Sequence, residues 1–188
     1  MKRREVLKYS VMATGAALSS SVLASLMAGC TTKKVSGYQL QFFSDNEFEL
    51  VSSLVDTILP KTDSPAASEV GVDQTIDAII AQVYQPEDRE AYAQRFSLLI
   101  NHLNKEAGST FLELSPANKL TILQKVENST ENVSKEVNRA YLDFKQQTIA
   151  FYLSSEEIGE KFLNYLPVPG EYIACISPDE VGGKAWSI

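Results

Sequence analysis

Ser44-Asp45-Asn46-Glu47-Phe48-Glu49-Leu50-Val51-Ser52-Ser53-Leu54-Val55-Asp56-Thr57-Ile58-Leu59-Pro60 carries a helix from its first residue to its stop. Ser44 and Glu47 stand at the spacing of a capping box. There the serine oxygen and the glutamate carboxylate each satisfy an amide that the first turn leaves unpaired. Phe48, Val51, Leu54, Val55 and Ile58 recur at helical spacing, which gathers them on one face. Pro60 has no amide to donate and biases the residue before it towards extended backbone, so the helix ends there.

The same pattern repeats downstream. Lys61 to Gly71 is a loop rich in Ser, Pro, Asp and Ala. Val72, Ile76, Ile79, Ile80 and Val83 mark a second helix. Pro86 opens a third, where a missing amide costs nothing, and Glu87, Asp88 and Glu90 complement the positive end of its dipole. Tyr92, Phe96, Leu99, Ile100 and Leu103 form its apolar face, and Gly108 is its stop. Ser115-Pro116 starts a fourth helix with Leu120, Leu123 and Val126 turned inward. Val133, Val137, Tyr141, Phe144 and Thr148 support a long fifth, running to about Leu153. Ser155 caps a short sixth, with Ile158, Phe162 and Leu163 on its apolar side. Period-two alternation is scarce. The fold class is therefore all-α: a bundle of five to six helices over residues 44–188.

From Leu166 the texture changes. Leu166-Pro167-Val168-Pro169-Gly170-Glu171-Tyr172 cannot be helical. An extended Pro- and Gly-containing tail follows to Ile188. It holds Tyr172, Ile173, Ile176, Trp186 and Ile188, enough apolar area to need a surface. It either packs back on its own helices or lies across a partner.

Ahead of the bundle, residues 1–29 read as an export leader. Lys2-Arg3-Arg4-Glu5-Val6-Leu7-Lys8 is a basic head, and no charged side chain occurs from Tyr9 to Gly29. Thr14, Gly15, Ser19, Ser20, Ser21 and Ser25 dilute that run below the apolarity of a permanent span. A weakly apolar core behind Arg3-Arg4 resembles a twin-arginine signal, the bacterial route for proteins exported already folded; an ordinary leader with a fortuitous arginine pair is the alternative. Leu26-Met27-Ala28-Gly29-Cys30 resembles a lipoprotein processing box, which makes Cys30 the lipidation site and residues 30–43 a tether. Each buried methylene of an acyl chain contributes about 0.8 kcal/mol of membrane affinity. A soluble product cut nearby is the alternative. The expected location is the periplasm of a Gram-negative bacterium, on a membrane surface.

Composition narrows the chemistry. The leader holds four basic side chains (Lys2, Arg3, Arg4, Lys8) and one acidic (Glu5), so the whole chain's 17 Lys and Arg and 24 Asp and Glu become 13 and 23. That is a charge of −10, against the clustered basic residues that nucleic acid requires. With Cys30 lipidated, only Cys175 remains and no internal disulfide can form. His102 is the single histidine, which excludes an internal His-based zinc site and a histidine-centred charge relay. It sits among apolar neighbours on the third helix and reads as structural. No Cys-x-x-Cys-His, Gly-x-Gly-x-x-Gly or Walker-type loop occurs. Glu156, Glu157 and Glu160 read as a solvated face. The expectation is no catalytic residue, no metal ligand and no cofactor site in this chain.

Three segments carry a resemblance to a known family. The first is Phe43-Ser44-Asp45-Asn46-Glu47 with Leu50, Leu54, Ile58, Leu59 and Pro60. The second is Thr62-Asp63-Ser64-Pro65-Ala66-Ala67-Ser68-Glu69-Val70-Gly71-Val72, leading to Ile76-Asp77. The third runs from Phe144-Lys145 through Thr148, Tyr152, Ser154-Ser155-Glu156 and Gly159 to Val168-Pro169-Gly170-Glu171-Tyr172 and Trp186. In order and spacing the chain resembles gluconate 2-dehydrogenase subunit 3. The family usually has glycine where this chain has Ala66, so its loop turn there is open to difference.

The resemblance implies a small, non-catalytic partner of an FAD-carrying flavoprotein of the glucose–methanol–choline class, with a multihaem c-type cytochrome as a frequent third component. Related assemblies oxidise gluconate, fructose, sorbitol or C3 of glucosides, and pass electrons to the cytochrome or a quinone. It also implies that Arg3 and Arg4 carry a leaderless flavoprotein through the twin-arginine machinery. A stand-alone helical lipoprotein, acting as a binding or scaffold module, is the rival reading. Tyr152, Pro167, Pro169, Tyr172 and Trp186 are the expected contacts with the large subunit, because aromatic side chains are frequent anchors in protein interfaces.

Overall fold

The computed structural model describes residues 37–128, 133–168, 170–171 and 175–187. The chain divides into two units, Met1–Tyr38 and Gln39–Ile188, and the fold described is that of the second. Its order is α1 (Asp45–Ile58), a 3₁₀ turn at Ala67–Val70, α2 (Val72–Gln82), α3 (Pro86–Ala107), a 3₁₀ turn at Phe111–Glu113, α4 (Pro116–Glu127), α5 (Lys135–Leu153), α6 (Glu156–Lys161) and a last 3₁₀ turn at Pro178–Val181. Six α-helices and no strand occur among the described residues, so the all-α bundle expected from periodicity is what forms.

The helices begin where their capping chemistry puts them. Glu47 reaches back over the first turn of α1, its carboxylate accepting from the Ser44 amide at 3.0 Å and the Ser44 hydroxyl at 2.7 Å. Pro86 and Pro116 each sit in the first turn of their helix. Gly108 ends α3 at φ 69°, a left-handed conformation that glycine adopts without a Cβ penalty. Helix α5 starts two residues later than its apolar pattern implied. Ser134 accepts from the Val137 amide at 3.2 Å, and that cap leaves Val133 outside the helix.

Helix α5 is the axis of the bundle and touches each of the other five helices. It buries Val137, Ala140, Tyr141, Phe144, Thr148 and Tyr152. Around it lie Val51, Leu54 and Val55 of α1, Ile76 and Ile80 of α2, Leu99 and Leu103 of α3, and Leu123 and Val126 of α4. Phe111, in a connecting turn without helical period, is fully buried, its amide donating to Asn104 Oδ1 at 2.9 Å.

Three apolar or capping expectations need correction. Leu120 is exposed rather than inward, because the buried stripe of α4 runs through Ile122, Leu123 and Val126. Val83 lies past the end of α2, at its C-cap, and faces solvent. Ser155 occupies the N-cap position of α6, but its hydroxyl donates backwards to the Tyr152 carbonyl at 2.7 Å.

Three carboxylates fasten the first half of the domain. Asp77, fully buried on α2, accepts from the amides of Gln41 (2.8 Å), Phe42 (3.0 Å) and Phe43 (2.8 Å). Asp73 accepts from the Ser52 hydroxyl at 2.6 Å and joins α2 to α1. Asp56 accepts from both the amide (2.8 Å) and the hydroxyl (2.7 Å) of Ser68, docking the 3₁₀ turn against α1. Ala66, where glycine was the family expectation, has φ −66° and ψ 159°, backbone that alanine adopts freely.

Candidate functional site

Two surface features stand out: an apolar tail and an aromatic cleft. After α6 the chain turns at Asn164, which clasps the C-terminal segment. The Asn164 amide donates to the Ala185 carbonyl and the Ser187 amide donates to the Asn164 carbonyl, both at 2.8 Å. The Asn164 side chain donates to the carbonyls of Val181 (3.0 Å) and Lys184 (3.2 Å). Ser187 comes to rest over Gly159 of α6, where a Cβ would lie 2.8 Å from its hydroxyl. The tail thus folds back on its own domain.

It does so without hiding its large side chains. Tyr165, Leu166, Val168, Ile176 and Trp186 are all exposed, Val168 by 80% and Trp186 by 47%. The pairing of Asn164 with Trp186 brings the Tyr165-Leu166 segment beside the tryptophan. Apolar side chains grouped at a surface in this way commonly mark an interaction site.

Of the expected contact residues, Pro167 and Trp186 lie on this surface. Tyr152 does not join them. It is 8% exposed, and its hydroxyl bridges Ser64 Oγ at 2.9 Å and the Pro65 carbonyl at 2.8 Å, so it fixes the loop before Ala67–Val70. Pro169, Tyr172, Arg3, Arg4 and Cys30 lie outside the described residues. Tyr165, Leu166 and Val168 were not singled out as contacts. Their one signal in the sequence is position: Tyr165 and Leu166 lie between the last helical period and the first proline of the tail, and Val168 lies between Pro167 and Pro169.

The cleft lies between α3 and α5, with Tyr84 added from the α2–α3 connection, and encloses about 440 Å³. Tyr84, Tyr92, Phe96, Phe144 and Phe151 give it aromatic walls. Tyr92 stacks on Phe96 at 6.2 Å between ring centroids, and Tyr84 meets Tyr92 edge-on at 6.0 Å. Behind them Phe42 and Phe43, held by Asp77, pack against Tyr92. At the rim Arg95 and Asp143 approach to 3.7 Å. The Gln147 amide donates to the Tyr84 hydroxyl at 2.8 Å, and the Tyr92 hydroxyl points to Gln147 Oε1 at 3.5 Å. Burial, and after it the neighbouring Tyr84, raises the Tyr92 phenol above the ordinary tyrosine range, so no phenolate forms here near neutral pH.

Elsewhere, Glu156, Glu157 and Glu160 are exposed, and Glu157 pairs with Lys161 at 3.1 Å. His102 is half-buried, and among the described residues its enclosed Nε2 meets no hydrogen-bond partner. Burial lowers the Lys119 ammonium from its usual range; it donates to Ser53 Oγ at 2.8 Å and lies 5.7 Å from the centre of the Phe111 ring. Among the described residues no three His, Cys, Asp or Glu side chains gather as a metal site, and no helix is long and apolar enough to cross a membrane.

Residues 45–170 match the family described as gluconate 2-dehydrogenase subunit 3. No curated protein and no solved structure matches the chain.

Proposed function

The chain belongs to the gluconate 2-dehydrogenase subunit 3 family, and from that premise we propose that it is the small, non-catalytic subunit of a membrane-associated sugar or sugar-acid dehydrogenase complex. Its partner is an FAD-carrying flavoprotein of the glucose–methanol–choline class, with a c-type cytochrome as the next electron carrier. The leader at residues 1–29 takes the preassembled pair through the twin-arginine route. Cys30 then holds the complex at the periplasmic face through acyl chains. FAD is inserted in the cytoplasm, so the protein that carries it has to fold before export. A twin-arginine leader on a chain without an evident cofactor motif meets that need.

The observation that carries this reading is the family match over residues 45–170, which spans every α-helix of the bundle. The apolar side chains left exposed beside Asn164 supply a surface for the partner to cover.

Immunoprecipitation of the untagged chain from solubilised native membranes tests the reading. It is expected to bring down a larger subunit with flavin fluorescence and acceptor-dependent oxidation of gluconate or a glucoside. Replacing Arg3-Arg4 by Lys-Lys is expected to leave that flavoprotein in the cytoplasm. A chain that precipitates alone, with the oxidising activity left in the supernatant, points instead to a stand-alone lipoprotein.

A further inference from the structure

The geometry points to a ligand site in the α3–α5 cleft for an uncharged, planar ring compound bearing carbonyl oxygens, a description that quinones fit. The inference stands apart from membership of a complex, since it rests on the cleft alone. Size comes first: about 440 Å³ is within the range of small-molecule pockets, roughly 300–1,000 Å³. It exceeds what a single side chain fills and suits a substituted one- or two-ring molecule.

The walls select for flatness. Tyr84, Tyr92, Phe96, Phe144 and Phe151 all line the space, and aromatic faces pair best with other planar π-systems in offset or edge-on contact. The rim selects against charge. Arg95 and Asp143 neutralise one another at 3.7 Å, so an anion would have to compete with Asp143 and a cation with Arg95. A sugar acid is disfavoured on that ground.

The polar groups select for an acceptor. The Tyr84 oxygen receives the Gln147 amide at 2.8 Å, which leaves its own O–H to give. Arg95 and Gln146 line the same space and add N–H donors. A carbonyl oxygen at the edge of a ring takes such hydrogen bonds while the ring stacks on the walls. The back of the cleft is fixed: Asp77 holds Phe42 and Phe43 through their amides, and both rings pack on Tyr92. The cleft is therefore preformed.

The test uses the full chain in detergent, titrated with 2-methyl-1,4-naphthoquinone and followed by quenching of intrinsic fluorescence. Saturable one-to-one binding is expected. Tyr84→Phe removes the hydroxyl and keeps the ring, and is expected to weaken binding about fivefold, the effect of one hydrogen bond. Ala150→Trp fills the cleft from an exposed position on α5 and is expected to abolish binding with the melting temperature retained. Gluconate is expected not to compete. Absence of saturable binding to the unaltered chain overturns the proposal. So does equal binding by the Ala150→Trp chain. An Ala150→Trp chain that loses its flavoprotein, in a protein that never bound the naphthoquinone, would make the cleft a socket for a segment of the partner and overturn the ligand site.

Discussion

Asp77 gives the clearest single-residue consequence of this fold. One carboxylate in a fully buried position receives three successive backbone amides, those of Gln41, Phe42 and Phe43. Hydrogen bonds to an ionised acceptor in a low-dielectric interior are stronger than neutral ones, and a buried donor left without a partner is costly. Asp77→Asn keeps the shape but turns an amide group towards N–H donors. It is expected to lower unfolding stability by about 3 kcal/mol, read as a shift of the urea midpoint with unchanged slope. Asp77→Ala is expected to cost more and to loosen Phe42 and Phe43 from Tyr92, visible as faster exchange of the Phe42 and Phe43 amides. This role was not legible in the sequence. An aspartate in an amphipathic helix reads as solvated, and its donors come from a segment more than thirty residues away with no periodicity to announce it. A second consequence concerns pH. Burial, and then Glu127, raises the Tyr141 phenol to about 12, and burial raises Tyr92 further. The unfolded chain loses these protons near the ordinary tyrosine value of about 10, so their contribution is complete below that pH and is lost as pH rises through the folded values. Melting temperature is therefore expected to fall between about pH 10 and 12, and Tyr92→Phe with Tyr141→Phe to flatten that fall while keeping the rings.

Among the elements, legibility follows how local the determining interaction is. Helices α1, α3 and α4 announced themselves because Ser44, Pro86, Ser115-Pro116 and Gly108 act within one turn of their own positions. Leu120 stands at helical spacing from Leu123 and Val126, which are buried, so periodicity alone turns it inward. The difference is tertiary: the neighbouring Lys119 directs its ammonium to Ser53 on α1, and Leu120 is left exposed. The tail is the extreme case. Its folded form depends on Asn164 meeting carbonyls 17 and 20 residues ahead, and a lone asparagine after a short helix carries no sign of that. Asn164→Ala removes both side-chain bonds and leaves the two backbone bonds that pair the segment. Each lost bond is worth roughly 1 kcal/mol, and the loss falls on a peripheral element. Limited proteolysis is expected to cut within residues 175–187 several times faster, while the urea midpoint of the bundle stays within experimental scatter. Equal cleavage rates would mean that the tail is held by its other contacts.

At the scale of the molecule, the division of labour between tail and bundle decides what a partner can touch. Among the described residues the bundle, closed around α5, leaves Val83, Leu98, Leu120 and Leu142 exposed on separate elements, whereas the much shorter tail exposes Tyr165, Leu166, Val168, Ile176 and Trp186. Trp186 is the chain's single tryptophan and lies beside the Asn164 clasp. Interfaces concentrate their energy in a few such side chains, with truncation of a central one costing about 2 kcal/mol or more. Its truncation should therefore separate assembly from folding. Trp186→Ala removes a half-exposed ring, so the melting temperature of the isolated chain is expected to change by no more than about 2 °C, in keeping with a surface substitution. Its affinity for the flavin-carrying subunit is expected to fall at least about thirtyfold, the equivalent of that same 2 kcal/mol, measured by surface plasmon resonance with the purified large subunit. Leu120→Ala, on an exposed face of α4, is the matched control and is expected to leave affinity unchanged. The contrast is informative because both variants delete exposed apolar area of similar kind, and only one deletes it from the tail. Equal affinity in the two would move the docking surface off the tail and onto the helical faces.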